Sequence, residues 1–124
     1  MKTYSAKSKK AKHQGDVSIL RIDALPKDAV PMAAVNGVFV VAHSETGHHH
    51  QVKATANLRC FADRSNPGIC YLVVDGAYAD LEHARDVNKH ETWRLPNIAK
   101  KTATIYKTIR QRVWTRWGDR MVQV

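Results

Sequence analysis

The stretch Leu58–Val74, LRCFADRSNPGICYLVV, decides the fold class of the chain. Two short runs rich in aliphatic, aromatic and Cys residues flank the motif NPG at residues 66–68, which is a strong turn signal. The two runs are therefore predicted to be the strands of one hairpin. Cys60 and Cys70 lie within this hairpin and are predicted to be thiols that fill the core, with neither a disulfide nor a metal between them.

The same strand pattern repeats along the chain. DVSILRI (Asp16–Ile22), GVFVVAH (Gly37–His43) and TATIYKTI (Thr102–Ile109) are short runs rich in β-branched residues. Residues 77–90 contain better helix formers, and their apolar spacing of three would allow one or two helical turns there. The predicted fold class is mainly β, a small antiparallel barrel or sandwich with at most one short helix.

The length of 124 residues favours a single domain. Residues 1–13 are rich in lysine and are predicted to form a flexible basic arm, and residues 14–124 to form one β-rich domain. No run approaches the roughly 20 apolar residues that cross a bilayer, and the start lacks the apolar segment of a signal peptide. We therefore expect a cytoplasmic protein with no membrane partner.

The net charge of +9 is concentrated at the two ends of the chain. Residues 1–12 carry five lysines and no acid, residues 100–124 carry seven bases and one acid, and residues 13–99 carry eight bases and ten acids. Such ends bind nucleic acid or another acidic surface, or serve only for solubility. The candidate partner-binding residues are Lys9, Lys10, Lys12, Arg110, Arg112, Arg116 and Trp117.

Aromatic residues alternate with arginines near the carboxyl end. Trp114 and Trp117 lie among these arginines, and guanidinium with indole is the chemistry that neutralises phosphates and stacks on unpaired bases. The alternative is that at least one of the two indoles anchors the core.

The segment HSETGHHHQV (His43–Val52) contains four of the seven histidines. On a strand, His48 and His50 share one face about 6 to 7 Å apart, so that both rings can reach one metal ion. Zinc or non-haem iron would suit such a site, with further ligands from the acids and histidines of residues 82–91. The alternative is an exposed face, and His43 and His49 are interpreted as bystanders. The candidate metal ligands are His48, His50, His83, His90 and Glu82, and Glu91 is a further possibility.

Motifs of other catalytic classes are absent from the sequence. It has no Gly-rich phosphate loop, no G-x-S-x-G and no C-x-x-C. We therefore expect a binding protein more than an enzyme.

Several motifs follow one another along the chain: QGDV (Gln14–Val17), E-T-G-H-x-H-x-V (Glu45–Val52), L-x-H (Leu81–His83), His90 before Leu95-Pro96, and Tyr106 before RQR at residues 110–112. This order of motifs resembles a family of small, largely uncharacterised proteins from bacteriophages and bacterial genomes.

The resemblance implies a phage or mobile-element origin and a shared pattern that includes Gly47, His48, His50 and His90. In that family the L-x-H histidine and the second histidine lie close together. Here His83 and His90 are separated by ARDVNK, which weakens the match at His83 more than at His90. The resemblance implies no particular activity.

Three classes of function follow. The first is a small phage-type accessory protein that binds nucleic acid or a host or phage protein through its basic ends and has a His-lined polar or metal site. The second is a cupin-like metal-dependent enzyme, by analogy of fold alone, because the glutamate that follows H-x-H in cupins is absent. The third is a structural virion protein. We favour the first.

Overall fold

The computed structural model describes residues 2–5, 8–43, 49–85, 88–99, 102–110, 114–117 and 120–123, with side chains for residues 5, 8–43, 49–83, 92–99 and 102–110. These residues form strands and no helix. The strands are β1 (Lys2–Ser5), β2 (Lys12–Gln14), β3 (Val17–Ile22), β4 (Val30–Pro31), β5 (Val38–Ala42), β6 (His49–Lys53), β7 (Leu58–Ala62), β8 (Ile69–Val74), β9 (Tyr78–Arg85), β10 (Asn88–Pro96), β11 (Thr104–Arg110), β12 (Trp114–Trp117) and β13 (Arg120–Gln123).

Two sheets build the body of the protein. The first has the strand order β1-β10-β9-β6-β5, and the second has the order β2-β3-β11-β8-β7-β4. Strands β12 and β13 pair with each other in a separate two-stranded sheet. Strand β1 runs parallel to β10, and the other pairings of named strands in the described part of the chain are antiparallel. The mainly β fold class is therefore confirmed.

Side chains from both sheets meet in one hydrophobic core. Alternation along the strands places every second residue in this core, as in β6, where the buried residues alternate with half-buried or exposed ones. The largest apolar members of the core with no more than 1% exposure are Val17, Ile19, Val52, Leu72, Val74, Leu81, Leu95 and Tyr106. Since β3, β8 and β11 belong to one sheet and β6, β9 and β10 to the other, the sheets pack face to face.

The β7–β8 hairpin forms as predicted, because its turn is stabilised by its own side chains. The Oδ1 atom of Asp63 accepts hydrogen bonds from the backbone N–H groups of Ser65 and Asn66, each at 2.9 Å. Cys60 and Cys70 are buried free thiols, which confirms their predicted place in the core.

The helical turns that the sequence would allow within residues 77–90 do not form in the described residues of this segment. This region forms β9 and the start of β10, which pair antiparallel with a register shift between Lys89 and Glu91. A spacing of three between apolar residues fits one face of a helix, whereas in a strand it places successive members on opposite faces. Pairing of β9 with β6 on its other side favours the strand, because it buries Leu81 in the core.

Residues 1–13, expected to form a flexible arm, contribute strands to both sheets. Strand β1 pairs with β10, and β2 pairs with β3 in a hairpin. Between them, the backbone N–H of Arg21 donates to the carbonyl oxygen of Ser8 at 2.9 Å. Open edges of β10 and β3 offer hydrogen-bonding groups that these short strands satisfy. None of the described residues forms a helix of the length and apolar character that a bilayer requires.

Candidate functional site

The turn between β2 and β3 has the sequence Gln14-Gly15-Asp16. Gly15 has a φ of +56°, in the left-handed region that L side chains rarely adopt. A Cβ atom at this position would lie 3.2 Å from Cε1 of His83 and 3.3 Å from Cε1 of His50. Backbone conformation and packing therefore both favour glycine, and the turn lies directly against two imidazole rings.

His50 lies in the middle of a chain of polar contacts and is 2% exposed. Its Nδ1 atom is 2.8 Å from Oε1 of Gln14, and its Nε2 atom is 3.0 Å from Oδ1 of Asp16. The Nε2 group of Gln14 donates to the carbonyl oxygen of Leu81 at 2.7 Å, which fixes the orientation of the amide. The Nε group of Arg110 donates to Oδ2 of Asp16 at 3.3 Å. These contacts join the β2–β3 turn to β6, β9 and β11.

The ring of His83 stacks on that of His50. Their centroids are 4.1 Å apart and their planes differ by 11°. The stacking follows from the sheet register, because the two residues are direct partners across β6 and β9. We refer to the following residues as the polar cluster: Gln14, Asp16, His50, His83 and Arg110.

Two effects act in opposite directions on the protonation of His50. Burial and, to a smaller extent, the adjacent His83 lower its pKa while Asp16 raises it, and the net result is a pKa of about 4. Both ring nitrogens face oxygen atoms that accept hydrogen bonds, so the doubly protonated ring would donate to both. Burial is the larger effect, and His50 is therefore neutral at pH 7, with one N–H to donate.

Asp16 remains a carboxylate beside this ring. Partial burial acts to raise its pKa, but attraction to His50 and hydrogen bonds from His50 and Arg110 hold the pKa below its ordinary value. The Asp16 side chain is 48% exposed, and that of Arg110 is 26% exposed. The cluster thus has a buried neutral end at His50 and a charged end at the surface.

A catalytic role for the cluster needs a nitrogen that can reach a substrate. Both nitrogens of His50 are already in contact with protein oxygens, and the ring is almost fully buried. General acid–base catalysis requires such an atom within hydrogen-bonding reach of the reacting group. The arrangement therefore stabilises the contact between the two sheets and leaves His50 closed to a substrate.

The predicted metal ligands are brought together only in part. His50 and His83 are stacked, whereas Glu82 is the partner of Gln51 in register and so lies on the opposite face of the sheet from His50. The side chains of His48 and His90 lie outside the described residues, as does that of Glu91. Among the described side chains, no group of three or more His, Cys, Asp or Glu residues could hold a metal ion. A zinc or iron site that includes His48 and His90 stays a prediction.

The strand alternation of the histidine segment is as predicted. His50 and Val52 are buried, whereas His49 lies on the outer face, where its ring makes an edge-on contact with that of His43 at 5.1 Å between centroids.

The predicted partner-binding residues lie in two places. Lys9 and Lys10 are exposed, Lys12 is half-buried in β2, and Arg110 ends β11. Lys9 forms a surface ion pair with Asp23 at 2.8 Å. The side chains of Arg112, Arg116, Trp114 and Trp117 lie outside the described residues.

Sequence analysis did not identify Gln14, Gly15 and Asp16 as part of a site. Gln14 lies 36 residues before His50 in the sequence, and Asp16 lies 34 residues before it. Only the fold brings them together. The available signal was the QGDV motif together with H-x-H and L-x-H. The three motifs are the ones that meet in the polar cluster.

The fold and the cluster define a small β protein whose two main sheets are joined by a Gln–His–Asp chain, in which Gln14 and His50 are buried and Asp16 reaches the surface. A model for a domain of unknown function (DUF8820) matches residues 13–97, and the chain belongs to that family. The matched segment contains the β2–β3 turn, His50 and His83, and ends before Arg110. No curated protein and no solved structure matches the chain significantly.

Proposed function

We propose that the protein is a small phage-type accessory module that binds nucleic acid. One observation carries the proposal: the fold brings basic residues from both ends of the sequence to β2 and β11, which lie on either side of β3. Lys12 in β2 is the partner of Ile19 in β3, and β3 is also the neighbour of β11, which ends at Arg110.

Lys12 and Arg110 are two strand spacings apart across the sheet and two residues apart along it, because Arg110 is the partner of Val17. Their backbones are thus about 12 Å apart, although 98 positions separate them in the sequence. Lys9 and Lys10 precede β2, where the bond from Arg21 to Ser8 holds this segment beside β3. We refer to these four residues as the basic edge: Lys9, Lys10, Lys12 and Arg110.

The positive charges of the basic edge favour the binding of a polyanion. Each lysine or arginine that neutralises a phosphate releases counterions, so that binding is favoured and depends steeply on salt. The ion pair between Lys9 and Asp23 is exposed on both sides, and such pairs contribute little free energy, so a phosphate can compete for the lysine. An acidic protein surface is the other partner that this charge could bind.

The test is fluorescence anisotropy of a labelled oligonucleotide, single-stranded and duplex, titrated with protein over a salt series. We expect the affinity to fall at least tenfold between about 50 and 200 mM salt. The triple variant Lys9→Gln, Lys10→Gln, Lys12→Gln should reduce the slope of log affinity against log salt by about 2 to 3.

A matched control removes equal charge elsewhere. Lys27→Gln, Lys53→Gln and Arg59→Gln are exposed positions outside β2, β3 and β11, and this triple variant should keep the wild-type slope. Equal losses in both triple variants, or no measurable binding at low salt, would contradict the proposal. In the second case an acidic protein becomes the partner to test.

A further inference from the structure

An open cavity of about 480 Å³ lies where the ends of β5 and β11 meet the β7–β8 turn. The backbone N–H of Arg110 donates to the carbonyl oxygen of Gly68 at 2.8 Å, which fixes the end of β11 against that turn. A volume of this size is in the range of sites that hold small organic ligands. The cavity lies beside the polar cluster, since Arg110 belongs to both.

The charged residues that line the cavity favour an anion. Arg64 and Arg110 contribute two guanidinium groups, and His43 adds an imidazole. The carboxylate in the lining is Asp63, whose oxygens are engaged in the turn and with Tyr71. The hydrogen bond from the Tyr71 hydroxyl, at 2.7 Å, lowers the pKa of Asp63 together with the backbone N–H groups.

Apolar side chains form the rest of the wall. Met32, Val40, Ala42 and Pro67 line the cavity. The Cys70 thiol lines it as well, but burial raises its pKa to about 11, and its Sγ donates to the Val41 carbonyl oxygen at 3.6 Å, so it is a neutral, unreactive surface.

A second cavity adjoins the first on the side of β5. It measures about 360 Å³ and shares Met32, Val40 and His43 with the first. Val35 and Val38 add to its apolar wall. Together the two spaces offer an extended apolar surface next to a positively charged end.

We propose that this pair of cavities binds a small organic anion, with its carboxylate or phosphate against Arg64 and Arg110 and its aromatic or aliphatic body against Met32, Val40 and Pro67. Guanidinium groups bind both acid types through charge-assisted hydrogen bonds. The apolar wall excludes an inorganic anion as the preferred ligand, because such an ion would leave that surface uncovered. The inference goes beyond nucleic-acid binding and does not depend on it.

The test uses phenyl phosphate as the probe, followed by amide chemical shifts in NMR spectra of the whole chain. We expect saturable shifts at residues of the cavity, such as Val41, Ser65 and Gly68. Phenol tests the apolar body alone and inorganic phosphate tests the charge alone, and each should bind at least about tenfold more weakly. Benzoate distinguishes carboxylate from phosphate as the preferred acid group.

Arg64→Gln removes one guanidinium from an exposed turn position that has no part in the core. It should weaken phenyl phosphate binding about five- to tenfold. Arg59→Gln is the matched control, because Arg59 is exposed on β7 and pairs with Asp75 away from the cavity. This control should bind the probe as the wild type does.

Three results would overturn the inference: shifts that avoid the cavity, phenol binding as tightly as phenyl phosphate, or equal losses in the two arginine variants. The lysine triple variant of the basic edge should bind phenyl phosphate normally. If the protein binds phenyl phosphate but no oligonucleotide, the proposed function alone is contradicted. If it binds the oligonucleotide but no phenyl phosphate, this inference alone is contradicted.

Discussion

The polar cluster and the basic edge both include residues of β2 and share Arg110 at the end of β11, but they differ in how their other polar groups are used. In the cluster, His50 is 2% exposed and both of its nitrogens contact protein oxygens. In the basic edge, Lys9 and Lys10 are exposed to solvent. Residue types associated with catalysis therefore stabilise the fold here, whereas simple surface charges are the groups that can reach a partner.

Replacement of His50 by alanine should give the largest difference in stability between a change in the polar cluster and a change in the basic edge. The change creates a cavity between the sheets and removes the one ring N–H that neutral His50 donates to Gln14 or Asp16. We expect a loss of about 3 to 4 kcal/mol in the free energy of unfolding, measured by urea denaturation. Lys10→Ala, at the exposed edge, should change it by less than about 0.5 kcal/mol. Similar losses in the two variants would remove the distinction between the regions.

Acidification should lower the stability of the folded protein through the polar cluster. The pKa of His50 is lowered from 6.5 to about 4 in the folded protein, so the unfolded chain takes up this proton first as the pH falls. The stability that comes from keeping His50 neutral is fully present above pH 6.5 and is lost as the pH falls towards 4. The loss should be about 2 to 3 kcal/mol.

The measurement is a set of urea denaturation curves between pH 7 and pH 4. His50→Gln is the control, because it keeps a polar side chain and removes the titrating ring, and its stability should vary less over this range. A wild-type protein that gains stability on acidification would show that His50 is protonated in the fold, which would contradict the lowered pKa of this ring.

Two glycines allow the packing of the cluster to be separated from backbone strain. Gly15 and Gly37 both have positive φ values, +56° and +78°, but a Cβ atom meets the rings of His50 and His83 at Gly15 and nothing within 4 Å at Gly37. We expect Gly37→Ala to cost about 1 kcal/mol and Gly15→Ala about 2 kcal/mol in thermal or urea unfolding. Equal costs would mean that the contact of Gly15 with the imidazoles adds nothing.

The part of the fold that could be predicted from sequence is the part with local causes. The β7–β8 hairpin has its turn chemistry within residues 63–68, so it could be identified without knowledge of the rest. Strand β9 could not, because its spacing suits a short helix until β6 and β10 pair with it on both sides. Strand β1 likewise forms on an edge that the sequence does not show.

In the candidate site, too, the features with local causes could be predicted and those that depend on distant residues could not. The H-x-H pattern correctly places His50 on the inner face, since alternation is a local property of a strand. The partners of His50 come from a turn more than 30 residues earlier, and no spacing rule connects them. A glycine between Gln14 and Asp16 indicated a turn, but its approach to two rings depends on the packing of the sheets.

Asp16→Asn offers the most direct test of the claim that the cluster supports the fold while the basic edge binds the partner. The change keeps the shape of the side chain and removes the negative charge that lies 3.3 Å from Nε of Arg110. We expect a less stable protein whose affinity for the oligonucleotide at low salt rises about three- to tenfold, because Arg110, which belongs to both the cluster and the basic edge, loses its carboxylate partner. An unchanged or weaker affinity, measured by anisotropy on a variant shown to be folded, would contradict the account.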